Sequence, residues 1–351
     1  MIKAGIIGFG YMGHFHYNKA IESGQAEVIA ICDVDDKKLE EGIKTGLHAY
    51  RDTEIGDFLR EDMDLVVIAT QNQFHAPYAI RALRAGKHVM CEKPVTMTVK
   101  ELKEIMAVSR ETGKLFTVHQ QRRFDIDFQM IAEVVHSGEI GSVHTIESRI
   151  MGERGVCFGW RADPEAGGGM LYDWGVHLID QMLQLFAGER VESVHARLNS
   201  VLTPAVDDYF ELDLQFSNHI YAKIMVCTFA LQKLPRWFVF GDRGTMKLDD
   251  MSGKSGGIGR IRREVKGFDS VVGKTELGPS RTMAPLEAGY LEQLELPDKK
   301  EEPLKYWKNL IASIEGKEEP YVKQEELLRQ MQIVEAAFRS AELGEVIKVC
   351  V

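Results

Sequence analysis

Over residues 1 to about 120, short apolar runs alternate with amphipathic stretches of helical length. The runs Lys3–Ile7, Val28–Cys32, Leu65–Ala69, His88–Cys91 and Leu115–Val118 are rich in β-branched residues and mostly lack two-residue alternation. That pattern predicts parallel strands covered on both faces. Helices are predicted between them, over Gly13–Ser23, Asp35–Gly46, Ala76–Ala85 and Val99–Thr112. The last opens at Thr98, with Glu101 at the spacing of a capping box. Alternation of this kind describes βαβ units wound into a doubly wound α/β sheet.

Beyond residue 120 the rhythm changes. A helical segment near Ile126–His136 leads into a strand, Val143–Met151, and the glycine turn Gly167–Gly169 precedes a predicted helix over Met170–Phe186. In Tyr209–Phe216 the residues Phe210, Leu212, Leu214 and Phe216 alternate with polar ones, the mark of a strand with one buried face. Ile220–Thr228, Trp237–Phe240 and Thr245–Leu248 continue the series. The expectation is a second, α+β domain with a large open, mainly antiparallel sheet covered by helices on one face, which divides the chain into residues 1–121 and 122–351. Ser252 to about Pro303 carries little periodicity and reads as a long excursion. A final helix is marked by Leu327, Met331, Val334, Phe338 and Ala341, with Gly344 placed to end it.

Composition narrows the function classes. The 351 residues carry a net charge of −10 with no basic block, a poor match for a phosphate backbone, so no nucleic-acid partner is expected. The most apolar short run, Leu65–Thr70, is far below a bilayer-spanning length, so no membrane partner is expected either. Cys32, Cys91, Cys157, Cys227 and Cys350 lack CxxC spacing, which suggests neither a disulfide framework nor a zinc knuckle and fits a reducing cytoplasm.

Gly8-Phe9-Gly10-Tyr11-Met12-Gly13 follows the first predicted strand directly and opens the first helix. In that context Gly8 permits the tight turn, Gly10 lets backbone approach a pyrophosphate and Gly13 allows close helix–strand packing, the arrangement of a Rossmann dinucleotide site. Asp33 ends the second strand 20 residues beyond Gly13, where its carboxylate can accept from adenosine ribose hydroxyls. This favours NAD, with Lys37 and Lys38 near enough in sequence to admit NADP.

Two further clusters carry chemistry. Cys91-Glu92-Lys93-Pro94 ends a predicted strand, which aims Lys93 at the ligand edge of a parallel sheet, and Pro94 raises the question of a cis bond. Lysine beside proline is ordinarily a solvated side chain. Asp173 and His177 are four apart, so on a helix they share a face, where a carboxylate can orient an imidazole that accepts a proton near neutral pH. A core histidine or a cap is the plainer alternative. Asp173, His177 and Asp180 could offer metal ligands, but hydride chemistry needs none, and no metal is expected.

Together with Ala69-Thr70, Asn72 and His75, Arg122-Arg123-Phe124, Trp160-Arg161 and Glu318-Glu319-Pro320, these motifs occur in the order seen in the glucose–fructose oxidoreductase, inositol dehydrogenase and rhizopine catabolism family, Gfo/Idh/MocA, which the sequence resembles over essentially its whole length. The resemblance implies a Rossmann domain followed by an α/β domain whose sheet forms subunit contacts, giving a homo-oligomer, a dimer or tetramer. It implies catalytic roles for Lys93, Asp173 and His177: His177 takes the substrate hydroxyl proton, Lys93 stabilises the alkoxide, and Asp173 positions hydroxyls and tunes His177. Thr70, Asn72, His75, Glu92, Lys93, Arg122, Trp160 and Arg161 would line the cofactor pocket. Gln120-Gln121 depart from the pattern before the arginine pair.

The resulting expectation is an NAD(P)-dependent oxidoreductase that transfers hydride to or from a sugar, a sugar derivative or a cyclitol. Trp160, Tyr172 and Trp174 could supply flat surfaces for such a substrate. Two alternatives are an NAD-dependent glycoside-cleaving enzyme that works by transient oxidation and a non-catalytic dinucleotide sensor.

Overall fold

Two sheets organise the chain in a computed structural model that describes residues 1–267, 272–281 and 288–351. In the N-terminal half the strands are β1 (Ile2–Ile7), β2 (Ala26–Asp33), β3 (His48–Arg51), β4 (Leu65–Ile68), β5 (His88–Cys91) and β6 (Phe116–Val118), and the helices are α1 (Tyr11–Ser23), α2 (Asp36–Lys44), α3 (Ile55–Phe58), α4 (His75–Arg84) and α5 (Val99–Thr112). Every strand pair is parallel and the order is β3-β2-β1-β4-β5-β6, with the reversal of direction falling between β1 and β4. A ligand crevice belongs at the carboxyl edge of that switch point. All four residues of β4 are fully buried, as their unbroken apolar run requires. Thr98 and Glu101 form the expected capping box on α5.

Strand β3 escapes sequence detection because its four residues, His-Ala-Tyr-Arg, present no buried face. It is an edge strand whose only strand partner among the described residues is β2.

The second sheet is nine-stranded among the described residues, in the order β16-β13-β12-β11-β7-β10-β9-β8-β17. Its strands are β7 (Val143–Met151), β8 (Val191–Asn199), β9 (Tyr209–Phe216), β10 (Tyr221–Cys227), β11 (Trp237–Gly241), β12 (Gly244–Leu248), β13 (Gly256–Ile261), β16 (Leu291–Leu294) and β17 (Ile347–Lys348), while β14 (Val272–Thr275) and β15 (Gly278–Arg281) form a separate hairpin. Pairing is antiparallel except between β7 and β10, so the sheet is mainly antiparallel as expected. Phe210, Leu212, Leu214 and Phe216 are fully buried on the inner face. Helices α6 (Ile126–Ser137), α7 (Val176–Leu185) and α9 (Gln324–Leu343) pack over that face.

The stretch read as an excursion instead supplies β13 and β16, which extend the sheet at one edge. Gly256, Gly257 and Gly259 dilute the alternation of β13, so its strand character comes from pairing with β12 and not from side chains. Residues 268–271 and 282–287 of that stretch lie outside the described residues.

Helices α8 (Lys305–Ile314) and α9 return to the N-terminal half. The Tyr306 hydroxyl donates to the Val118 carbonyl at 2.8 Å, and the Val99 N–H at the start of α5 donates to Glu335 of α9 at 2.7 Å. Arg123 makes a two-pronged pair with Asp180 on α7, 2.8 and 2.6 Å, and reaches Glu326 of α9 at 3.0 Å. The Arg123–Asp180 pair is buried, and stripping one partner from such a pair costs about 3–5 kcal/mol, so Arg123 acts as a fastener between helices.

Candidate active site

At the end of β1 the chain must turn sharply beneath whatever occupies the crevice. Gly8 does so at φ +89°, and a Cβ there would lie 2.5 Å from the Ala69 carbonyl oxygen. A Cβ on Gly13 would lie 2.2 Å from the Gly8 carbonyl oxygen, so helix and strand can meet only if that position is bare. Gly10 differs from both: a Cβ there would meet nothing within 4 Å, which leaves its backbone facing open space. That open space belongs to a cleft of about 400 Å³ lined by Gly8, Gly10, Tyr11, Met12, Asp33, Thr70, Asn72, Glu92, Lys93, Trp160 and Arg161. One oxygen of Asp33 accepts the Phe9 N–H at 2.6 Å and the other the Asp35 N–H at 2.9 Å, which pins the carboxylate at the cleft wall. A bare turn, a helix N-terminus and a fixed carboxylate fit a dinucleotide.

Phe9 is buried, with its ring against His14 and Tyr17, and contributes backbone to the turn. Lys37 is exposed, while Lys38 pairs with Glu41 at 2.9 Å. Gln71, Asp52, Phe74 and Tyr78 also line the cleft, and the last donates to Asp52. Asp52 and Tyr78 stand in no motif that sequence reading could use, while Gln71 and Phe74 fall between the quoted Thr70, Asn72 and His75.

Lys93 rises from the end of β5 beside a cis Lys93–Pro94 bond. Its Nζ crosses to the other half of the molecule and donates to Asp173 Oδ1 at 2.6 Å and to the Asp173 carbonyl at 2.8 Å. Arg161 Nε lies 3.4 Å from the second Asp173 oxygen. Burial opposes the charged form of Asp173, but the Lys93 ammonium and the Arg161 guanidinium outweigh it and hold the carboxyl below its ordinary value.

The helix expected over Met170–Phe186 is split. Leu171–Gly175 is a π-helical turn and α7 begins at Val176. The Leu171 N–H donates to Asp207 at 2.8 Å at the start of the turn, and burial raises the Asp207 carboxyl to about 7. The Asp173 carboxylate is engaged by Lys93 and Arg161, and the hydrogen-bond partner of His177 is Gln120: His177 Nδ1 lies 3.0 Å from Gln120 Oε1. An orienting role for Asp173 toward His177, read from the four-residue spacing, is therefore not the contact found. His177 is buried, and burial, with the Lys93 and Arg122 charges, lowers its pKa well below 6.5. Gln120 follows β6, at the carboxyl edge where Lys93 follows β5, and that shared position is the signal that could have found it.

Several predicted residues have other surroundings. His75 lies fully buried, with its ring nitrogens 2.7 Å from the Pro94 carbonyl and 3.2 Å from the Thr70 carbonyl, so it supports the floor without facing the cleft. Asn72 lines the cleft and donates to the Gly167 carbonyl at 2.7 Å, tying the cleft to the glycine turn of the second half. Glu92 accepts from His16 at 2.7 Å and His119 at 2.9 Å. Burial opposes its charge, but the two imidazoles hold its carboxyl well below the usual range. Asp180 is engaged by Arg123, apart from Asp173. Arg122 lies over the Trp174 ring, 4.0 Å from its centroid. The Tyr172 hydroxyl donates to the Met97 carbonyl at 2.8 Å, and its ring packs on Phe338. Trp174 and Met170 line a second hollow of about 540 Å³, with Arg149, Arg154, Lys233 and Arg236 among its walls.

Comparison with known proteins agrees with this geometry. Residues 2–120 match the oxidoreductase family model with an NAD-binding Rossmann fold, and residues 128–247 match the GFO/IDH/MocA C-terminal domain. The crystal structure of an NAD-binding protein from Listeria innocua is 37% identical, with a TM-score of 0.91 and 99% of each chain covered. D-glucoside 3-dehydrogenase of Escherichia coli is 30% identical over 56% of this chain and 57% of its own. The scyllo-inositol 2-dehydrogenase (NADP(+)) of Bacillus subtilis is 29% identical over 61% of this chain and 60% of its own. The chain thus spans less than two thirds of those two dehydrogenases.

Proposed function

The chain belongs to the Gfo/Idh/MocA family of NAD(P)-dependent oxidoreductases, and from that premise we propose that it transfers hydride to or from a hydroxyl-bearing or keto carbon of a sugar, a sugar derivative or a cyclitol. The observation that carries this reading is the reach of Lys93 from the cofactor cleft to Asp173, four residues before His177. When bound, the nicotinamide supplies the site that accepts or gives the hydride. His177 takes the hydroxyl proton in oxidation and returns it in reduction; Lys93 stabilises the oxygen as negative charge develops on it; Asp173 orients neighbouring hydroxyls. Its lowered pKa keeps the His177 ring neutral at pH 7, the form that has a free nitrogen for a proton.

The named substrates of the two dehydrogenases, a glucoside and an inositol, support a polyhydroxylated small molecule. The hollow that meets the site at Trp174, whose ring centroid lies 6.3 Å from that of His177, is its proposed room. Gly8 to Gly13, Asp33, Thr70, Asn72, Glu92, Lys93, Trp160 and Arg161 would hold the cofactor, with Arg122 at the border toward substrate and His75 acting from beneath. Asp33 gives NAD precedence over NADP, because a 2′-phosphate would meet its charge. Replacing Asp33 with Ser should move the preference toward NADP; an unchanged ratio of the two affinities would remove Asp33 from that role.

A screen of sugars and inositols with NAD and NADP, read by the absorbance of reduced nicotinamide, tests the activity. Turnover on at least one is expected. A blank screen by protein that binds NADH would count against it. We further propose a division of labour at residues 121/122 and a dimer or tetramer built on the outer face of the second sheet, where Tyr221 is 54% exposed. Sedimentation at micromolar concentration as a single monomeric species would exclude that assembly. A cytoplasmic location is proposed from the free cysteines; no helix among the described residues is long and apolar enough to cross a membrane.

A further inference from the structure

Behind His177 runs a chain of buried amides that belongs to neither lining. His177 Nδ1 lies 3.0 Å from Gln120 Oε1, Gln120 Nε2 donates to Gln330 Oε1 at 3.2 Å, and Gln330 Nε2 donates to the Val176 carbonyl at 2.5 Å. Gln120 and Gln330 are 1% and 0% exposed, so water does not compete for these bonds. A backbone carbonyl can only accept. It therefore requires the NH₂ end of Gln330, which leaves the Gln330 oxygen toward Gln120, which in turn requires the NH₂ end of Gln120 there and its oxygen toward the imidazole. A carbonyl oxygen at Nδ1 requires an N–H.

We propose that Gln120 and Gln330 are positioning residues that lock His177 as the Nδ1–H tautomer and so reserve Nε2 as the proton acceptor. The proposal rests on the reading of His177 as the base. A neutral amide differs from a carboxylate in that position: it fixes the ring without drawing a second proton onto it. The other charged and titratable groups bearing on the ring are Lys93, Arg122 and His119, which oppose its protonation, and Glu92, which favours it.

Nitrogen-15 NMR of the histidine rings tests the lock without reference to turnover, with His177→Ala identifying the signal. In the wild-type chain near neutral pH, Nδ1 should carry the proton. Gln330→Met frees Gln120 to turn its NH₂ toward Nδ1; the Nε2–H form should then appear and kcat should fall by about tenfold or more, with NADH affinity retained. Gln330→Glu can keep the sequence of donors when its buried carboxyl is protonated, and it should restore the wild-type tautomer. Gln120→Glu should shift the acid limb of the oxidation rate upward by about one pH unit or more, because a carboxylate now favours the imidazolium. A wild-type ring protonated on Nε2, or a tautomer unmoved by Gln330→Met in a folded, NADH-binding variant, would overturn the lock. Wild-type turnover by His177→Ala would instead sink the base assignment while leaving the tautomer result standing.

Discussion

The glycine turn and the proposed proton-transfer site are built by opposite means. The turn is made of backbone: Gly8, Gly10 and Gly13 work by having no side chain, and all lie within six residues. The second site is made of side chains gathered from positions 93, 120, 161, 173, 177 and 330, each held by a partner from another element. A site made by omission is decided by local sterics. One made by convergence depends on two sheets and a C-terminal helix arriving together.

The largest expected effect separates chemistry from cofactor binding. His177→Ala should lower kcat by about a hundred to ten thousand-fold, measured by steady-state kinetics, while NADH fluorescence titration still reports binding; Lys93→Ala should lower kcat as far and weaken NADH by a much smaller factor. Loss of binding in proportion to rate would merge the two sites into one. Within the turn, Gly13→Ala should cost both stability and cofactor, since its methyl would lie 2.2 Å from a carbonyl oxygen, whereas Gly10→Ala should hold Tm to within about 2–4 °C and weaken NADH roughly tenfold. Equal thermal shifts for the two would show that they do the same work.

The pH profile is a smaller test. With the His177 pKa below 6.5, the ring is neutral above that value, so the acid limb of oxidation should fall below pH 6.5 in the wild-type chain. A limb above it would mean that the ring is less shielded than its burial indicates. Asp207 tests stability and not rate. Its pKa rises from 3.8 to about 7 on folding, so between those values the folded state holds more protons, and its share of stability declines as pH rises and levels off above about 7. Thermal melts of Asp207→Asn should lack that component of the slope.

The sequence made the first sheet legible because strands covered on both faces leave unbroken apolar runs, as at Leu65–Ile68. The glycine turn was equally plain, since its function resides in consecutive residues. Edge strands such as His48–Arg51, and Gly256–Ile261 with its three glycines, were hidden because pairing to a neighbour defines them. The spacing of Asp173 and His177 predicts a regular helix; the π turn and the competing bonds from Lys93 and Arg161 give them separate partners. Gln120 stood out only as a departure from a pattern, because its contact with Gln330 lies 210 residues away. Arg122 and Arg123, adjacent in one motif, divide between the site and a structural fastening.

Helix α9 has a mechanical consequence. It receives the start of α5 on Glu335, supports the histidine network through Gln330, and accepts the Ala196 N–H of β8 on Ser340 at 2.9 Å. One rod thus serves as a common axle for both halves, which cannot swing apart without breaking bonds along its length. Hydrogen exchange should find the central α9 amides opening only when the entire chain unfolds.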